Sequence, residues 1–467
     1  MNLFGRKVLY TDAEQITKEN IVKVLGDVMT DHLANQGQIE YLFNYYKGKQ
    51  PILDRVKEVR PEINHRIVEN HANEIVSFKV GYLMGEPVQY VSRVSENADE
   101  IAKLNAFMFA DDKASKDREL SEWSHICGTS YRMTLPKSVD LDETEAPFEI
   151  FTLDPRTSFV VYHNGLGNKP LMGVTYVERE NGDKVYSCYT DAELFTIEND
   201  EVIDVIPHAL GTLPIIEYPA NAERMGVFEV VISLLDAINE VASDRANAID
   251  QFVQALMVLK GVDIDEESFK ALKELGGIKV PVDGDVEFLT QELSQNSTQT
   301  LVDNMYETVL TIVGMPSRSS NKSGSTSDTG AGVILRNGWY LAESRAKNSE
   351  LIFKRSEKKF LKLAMSIANT IRRMNLSIAD VEIRFTRRNY ENIQEKAQVL
   401  TLMLSNEQIH PRLAFEHSGL FIDPELAYKE SMEHLEEQER KSSEQLEQFR
   451  IGQVTDAKAD LEEEVDE

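Results

Sequence analysis

The stretch from Phe228 to Lys260 contains neither proline nor glycine and is dense in Ala, Ile, Leu and Val. As one helix it would run roughly 50 Å at the standard rise. Gly261 ends it, and residues 262–291 read as a compact insert. That insert holds a short helix around Glu266–Leu275, a turn at Gly276-Gly277, and strand-like runs at Ile278–Val282 and Val286–Leu289. Helix resumes over about Ser297–Val313. Two long helices interrupted by a small insert is an uncommon layout, and any fold assigned to this chain has to accommodate it.

The remaining segments fit an α+β, mostly helical chain. Apolar residues at three- and four-residue spacing predict helices over Thr17–Lys47, Ile67–Val80, a pair within 101–127, Ile393–Leu404 and Pro424–Phe449. Between Phe148 and Ile206 the period falls to two, which predicts strands at Phe159–Tyr162, Met172–Val177, Lys184–Tyr189 and Leu194–Ile197. Asn164-Gly165 and Asn181-Gly182 punctuate them, and Thr212–Tyr218 closes the unit. Gly314-Met315-Pro316 stops the second long helix. Ser317–Gly330 is then Ser/Gly/Thr/Asn-rich and reads as a mobile loop. Ala331–Met374 reads as a further helix on the order of 60 Å, followed by a strand at Val381–Phe385. Asp456–Glu467 has seven acids against one lysine and reads as disordered.

Composition excludes several classes of function. The 467 residues carry a net charge of −29, which argues against a protein gripping nucleic acid over its whole surface but allows local basic patches. Two cysteines, Cys127 and Cys188, cannot build a disulfide scaffold or a four-thiolate zinc site, and fit a chain made in the cytosol. No apolar run approaches the ~20 residues needed to span a bilayer, so no membrane role is expected. The sequence has no P-loop, HExxH, CxxC or GxSxG, and His65 and His71 stand six apart, off any shared ligand face. Asp263, Asp265, Glu266 and Glu267 lack the EF-hand glycine and terminal glutamate, so Asp265 reads as a helix cap. No catalytic residue, cofactor or metal is expected.

Charge on the long helices says more. Asp236, Glu240 and Asp244 repeat at i, i+4, and Asn247, Gln251 and Gln254 continue that face. Like charges so spaced cost a few tenths of a kcal/mol per pair. One reading is a solvated outer face; the sharper one is a helix lining an aqueous tunnel whose negative wall repels phosphates. The helix after the loop is the opposite, with ten bases and only Glu343, Glu350 and Glu357 as acids. It either contacts phosphates or pairs with acidic neighbouring chains.

Several blocks, in order over about residues 61–440, resemble the portal proteins of tailed double-stranded DNA phages, of the siphophage type from Gram-positive hosts. Ile67-Val68-Glu69 with Tyr82-Leu83-Met84-Gly85-Glu86-Pro87-Val88 is similar to an N-terminal block of that family. Leu213-Pro214-Ile215-Ile216-Glu217-Tyr218, Gly226-Val227-Phe228-Glu229-Val230 and Ser233-Leu234-Leu235-Asp236-Ala237-Ile238-Asn239 resemble its passage into the stem. Val313-Gly314-Met315-Pro316 with Thr329-Gly330-Ala331-Gly332 resembles its tunnel-loop region. Ile383-Arg384-Phe385-Thr386-Arg387-Arg388-Asn389 and Phe421-Ile422-Asp423-Pro424-Glu425 complete the set. Thr329 stands where a serine is usual, and Ala220-Asn221-Ala222 is a loose form of the asparagine pair.

The resemblance implies a portal fold of wing, stem, clip and crown, assembled as a ring, usually a dodecamer, at one capsid vertex of the virion. It divides the chain into a wing over 1–226, with a β-rich unit at about 148–218, a stem helix over 227–260, a clip over 261–292 and a second stem helix over 293–314. A tunnel loop over 315–330, a long helix and wing return strand over 331–388, crown helices over 389–455 and an acidic tail over 456–467 complete it. It implies partners: non-specific double-stranded DNA in the tunnel, terminase, head-tail adaptors, and major capsid and scaffolding proteins. On this reading Arg318, Ser319, Asn321, Lys322 and Ser323 face DNA from the tunnel loop, with Arg318 and Lys322 also readable as solubilising residues. Asp236, Glu240, Asp244 and Gln251 line the tunnel wall, and Asp263, Asp265, Glu266, Glu267, Asp283 and Asp285 form a docking rim on the clip. The rival classes are an acidic multidomain enzyme with an unrecognised site, and another head-assembly protein such as a scaffold or adaptor.

Overall fold

The computed structural model describes residues 4–58, 60–93, 97–137, 145–253, 256–260, 285–289, 295–317, 338–386, 393–421 and 423–463. In chain order these form β1 (Leu9–Thr11), α1 (Ile21–Tyr46), α2 (His71–Leu83), β2 (Gln89–Ser92), α3 (Ala98–Ala110) and α4 (Lys113–Cys127). The strands β3 (Thr129–Pro136), β4 (Phe148–Leu153), β5 (Ser158–His163), β6 (Pro170–Glu178), β7 (Lys184–Tyr189), β8 (Glu193–Glu198), β9 (Glu201–Pro207) and β10 (Ile215–Pro219) follow. Then come α5 (Ile232–Val253), β11 (Leu256–Lys260), β12 (Asp285–Leu289), α6 (Gln295–Val313) and α7 (Trp339–Arg372). β13 (Val381–Arg384), α8 (Ile393–Leu404), α9 (Pro411–Ser418) and α10 (Pro424–Glu463) end the series.

The β-rich unit is a six-stranded sheet of order β1-β5-β6-β7-β8-β9, antiparallel except where β1 lies parallel to β5. A second, antiparallel sheet has the order β10-β3-β4, from β10 the chain passes on toward α5, and β13 returns to pair with β2. Three apolar clusters hold these layers. Val24, Leu25 and Val28 of α1 pack on the six-stranded sheet through Phe159, Met172 and Phe195. Phe353, Phe360 and Leu361 of α7 pack against Leu104, Phe148, Tyr218 and Ile383. Ile75 and Val76 of α2, Leu235 and Ile238 of α5, and Val309 and Leu310 of α6 share the third.

The joints between layers are ionic. Arg132 on β3 is fully buried, and its guanidinium pairs with Asp117 of α4 and with Glu357 of α7, the latter at 3.2 Å. Lys113 bridges the same two carboxylates, 2.5 Å from Asp117 and 2.8 Å from Glu357. Tyr218 donates to Glu357 at 2.7 Å and Tyr90 donates to its other oxygen. Two cations meet two carboxylates, so the cluster is neutral, and each charge has the partners that make its burial tolerable. Gly128 ends α4 with φ +84°, and a Cβ there would lie 2.0 Å from the Arg224 carbonyl, so only glycine permits that crossing.

Two expectations are corrected. The helix expected to reach Lys260 ends at Val253, and Leu256–Lys260 is a strand paired antiparallel with Asp285–Leu289. A short apolar run lacking turn residues suits helix or strand equally, and here a cross-strand partner decides. The tail expected to be disordered from Asp456 is helical to Glu463, as the continuation of α10. α10 begins where Asp423 Oδ1 accepts from the backbone N–H groups of Glu425 and Leu426 at 3.1 and 3.0 Å, with Pro424 in the first turn.

Burial alone would raise the Glu357 pKa, but Lys113 and Arg132 outweigh it and hold it well below the carboxylate range. A depressed folded pKa gives stability that is present above the unfolded value and lost as pH falls through the folded one. Glu357→Gln should therefore cost about 3–5 kcal/mol at neutral pH and flatten the loss of stability below about pH 4. Urea unfolding followed by circular dichroism at several pH values checks both.

Candidate functional site: a helical hairpin seated in the body

Glu229 sets where α5 leaves the body. Its carboxylate accepts from Arg6 at 2.6 Å, from the Gly226 N–H at 2.8 Å and from the Gly5 N–H at 3.2 Å, and both ionic side chains are buried. A carboxylate just ahead of the helix also complements the positive end of its dipole. Glu217 on β10 makes a similar joint nearby. It takes Arg224 at 2.6 and 2.9 Å, Tyr162 at 2.5 Å and Thr129 at 3.0 Å, and its backbone carbonyl takes Ser356 of α7 at 2.7 Å.

Along its length α5 is held by a chain segment that has no regular secondary structure, residues 64–70. The backbone N–H groups of His65, Ile67 and Glu69 donate to Asn247 Oδ1, Ser243 Oγ and Asn239 Oδ1 at 2.7, 2.9 and 2.8 Å. Two extended residues cover about 6.6 Å and four helical residues about 6.0 Å, so alternate amides stay in step with every fourth side chain. Asn239, Ser243 and Asn247 are all buried. The helix face supplies acceptors where a strand would otherwise have found a sheet.

Side-chain pairs flank this ladder. Tyr45 of α1 donates to Asp236 at 2.9 Å, Arg55 pairs with Asp244, and His65 lies 2.6 Å from Asp250. Burial, helped by Glu240 nearby, raises the Asp236 pKa. On α6, Tyr306 donates to Glu74 of α2 at 2.9 Å and lies 4.5 Å, ring to ring, from His71. Burial opposes a charge on His71, yet Glu74 and Glu69, at 2.9 and 3.1 Å, raise its pKa. Lys79 donates to the Gly314 carbonyl at the end of α6 at 3.2 Å.

α5 and α6 pack on each other, and β11 with β12 closes their far ends. Arg245 donates to Gln299 across the pair at 2.7 Å. Leu235, Ile238, Val309 and Leu310 are buried where the hairpin meets the body, whereas Ile249 and Leu301 farther out are 48% and 50% exposed. The hairpin is thus embedded at its root, and exposed apolar side chains occur farther along both helices.

The family model for "Phage portal protein, SPP1 Gp6-like" matches residues 26–445. The chain belongs to this portal family. A protein named "Portal protein" from Clostridium phage phiCD119 is 20% identical over an alignment of 289 residues, with 55% of this chain and 63% of that relative covered, so the match spans less than two thirds of the relative's length. Among solved structures, a chain in the neck of an empty gene transfer agent particle computed with C6 symmetry is similar at 11% identity and a TM-score of 0.47, over 75% of this chain and 90% of that one. A chain in the virion of a native gene transfer agent particle gives 10%, 0.44, 75% and 89%.

The portal residues expected at the tunnel wall are brought onto one helix, α5. Glu240 is exposed, Asp236 and Asp244 have the intrachain partners above, and Gln251 is helical with its side chain outside the described set. Arg318, Ser319, Asn321, Lys322 and Ser323 lie outside the described residues, as do Asp263, Asp265, Glu266, Glu267 and Asp283; Asp285 begins β12. Among the described residues no three His, Cys, Asp or Glu side chains converge as a metal site requires, and no helix is long and apolar enough to cross a membrane. Sequence reasoning missed the ladder. Its signal was Asn239, Ser243 and Asn247 at four-residue spacing, small polar residues running beside the acidic row of the same helix.

Removing one acceptor leaves a buried donor unsatisfied, at about 1–3 kcal/mol. Asn239→Ala should speed amide exchange at Glu69 by at least tenfold while leaving the six-stranded sheet protected. Hydrogen exchange with mass spectrometry reads both regions at once.

Proposed function

We propose that this portal chain assembles into a ring at one vertex of a phage capsid and forms the passage through which double-stranded DNA is packaged and ejected. The observation that carries the reading is the α5–α6 hairpin, embedded at one end and closed at the other by the β11–β12 ladder. That arrangement is what a stem ending in a clip needs. The chain works as a conduit rather than an engine: DNA slides past a wall of like charge, to which Asp236, Glu240, Asp244 and Gln251 contribute. Arg318 and Lys322, with Ser319, Asn321 and Ser323, make sparse contacts to the duplex from the loop. ATP hydrolysis belongs to a separate terminase.

Docking is electrostatic on this reading. Asp263, Asp265, Glu266, Glu267, Asp283 and Asp285 present an acidic rim that recruits basic surfaces of terminase and later of head-tail adaptors. Major capsid and scaffolding proteins meet the body, and the assembled ring is a component of the virion.

Native mass spectrometry with negative-stain imaging of the purified chain tests the ring. The expected result is a closed assembly of about a dozen 53.0 kDa chains around a central hole; a dimer with no tendency to close would sink the reading. Reversing four of the clip acids should abolish terminase capture by the ring while leaving ring mass unchanged. Capture that survives would dismiss the electrostatic account of docking.

A further inference from the structure

The exposed side of α7 is an unusual surface for so acidic a chain. Tyr340, Ser344, Lys347, Leu351, Arg355, Lys358 and Lys362 are all exposed. Their i, i+4, i+7, i+11 spacing gathers them within ~80° of arc over roughly 33 Å. Lys347 lies 3.6 Å from Glu343, and among the described residues no carboxylate pairs with Arg355, Lys358 or Lys362. Lys359 flanks the stripe, its pKa lowered by partial desolvation and by Arg355 beside it. Elsewhere the chain pairs its buried cations carefully, as at Arg6, Arg132 and Arg224. A cationic face left open in a chain of −29 points to an anionic partner.

Two features decide between a nucleic acid and a protein. Tyr340 and Leu351 are 69% and 68% exposed on the same stripe, and large apolar side chains amid charge mark protein contacts. The chain also carries a matching surface. On α10, Leu426, Glu430, Glu433, Glu437 and Glu444 are exposed, Leu426 at 37%, and keep the same helical spacing over roughly 27 Å. Lys441 and Arg440 pair with Glu437 and Glu444, whereas Glu430 and Glu433 meet no cation among the described residues. Within one chain α10 lies by α3, where Lys429 is 3.6 Å from Asp99, and packs on α9.

We infer that the cationic stripe of α7 in one copy seats the acidic stripe of α10 in the next. Tyr340 and Leu351 supply the apolar contact, and Arg355, Lys358 and Lys362 face Glu430, Glu433 and Glu437. Such a contact joins two different surfaces, so it propagates head to tail, which is the kind of contact a closed ring requires. The inference rests on the ring reading and names a surface that would build it.

The test compares three full-length chains by sedimentation velocity and native mass spectrometry: the natural sequence, R355E/K358E/K362E, and that variant carrying E430K/E433K/E437K as well. All six positions are exposed, so thermal unfolding should be little changed. The triple variant should lose association on the order of 100-fold, rising salt should weaken the natural assembly, and the six-fold variant should recover it. If the natural chain forms rings and the triple variant forms them equally well, the contact is wrong while the ring reading stands. The contact also falls if the six-fold variant fails to recover. A natural chain that stays monomeric at the highest concentration reached overturns both. Intact assembly with reduced retention of duplex DNA would assign the stripe to DNA instead.

Discussion

Four charges buried together decide how this molecule is put together. Arg132 comes from β3, Asp117 and Lys113 from α4, and Glu357 from the middle of α7. The guanidinium and the ammonium also lie near the Phe360 ring, at 4.9 and 5.3 Å. No apolar contact would choose one register of α7 over a neighbouring turn so sharply. A one-turn slip would leave uncompensated charge in the core, which costs far more than a rearranged methyl group. Glu217 and Glu229 repeat the device at the two ends of the passage from β10 to α5. The body is thus keyed by ions at the places where helices of distant sequence cross sheets.

The stem follows from that keyed body by a different route. Its root is apolar and shared with α2, but its direction is set by hydrogen bonds from the backbone of residues 64–70 to Asn239, Ser243 and Asn247. A segment that joins no sheet satisfies alternate amides on a helix instead. Asp236, Asp244 and Asp250 reach past the ladder to Tyr45, Arg55 and His65. Acids that read as a bare negative face are therefore partly the grips that orient the helix, leaving Glu240 open to solvent. Both uses are compatible, because carboxylates at the edge of a docked face can bond on one side and present charge on the other.

Much of the architecture is legible in local pattern. Lys184–Tyr189 and Ile393–Leu404 have the boundaries that periodicity assigns, and α1 starts and ends within a few residues of its expected limits. The short apolar run Leu256–Lys260 failed because nothing local separates the last turns of a helix from a strand whose partner begins only at Asp285, late in the insert. Pro411–Ser418, too short to show a period, also escaped notice; Pro411 in its first turn and His410 accepting from the Arg412 N–H at 3.2 Å were its signals. The tail was misread because acidity was weighed against folding, although a helix already under way can continue through it.

The sequence by itself determined the class of fold, the interrupted pair of long helices and the family, because these depend on apolar spacing, turn residues and ordered motif blocks that survive in one dimension. It held Glu217, Glu229 and Asn239 within those blocks without saying what they do. Only the tertiary structure decided that Glu357 neutralises Arg132 and Lys113, that Asn239 receives an amide from Glu69, and that the cations of α7 stay open. Those outcomes depend on which groups meet across more than a hundred residues of chain, and the energy of a buried charge or donor is settled by its partner, not by its neighbours in sequence.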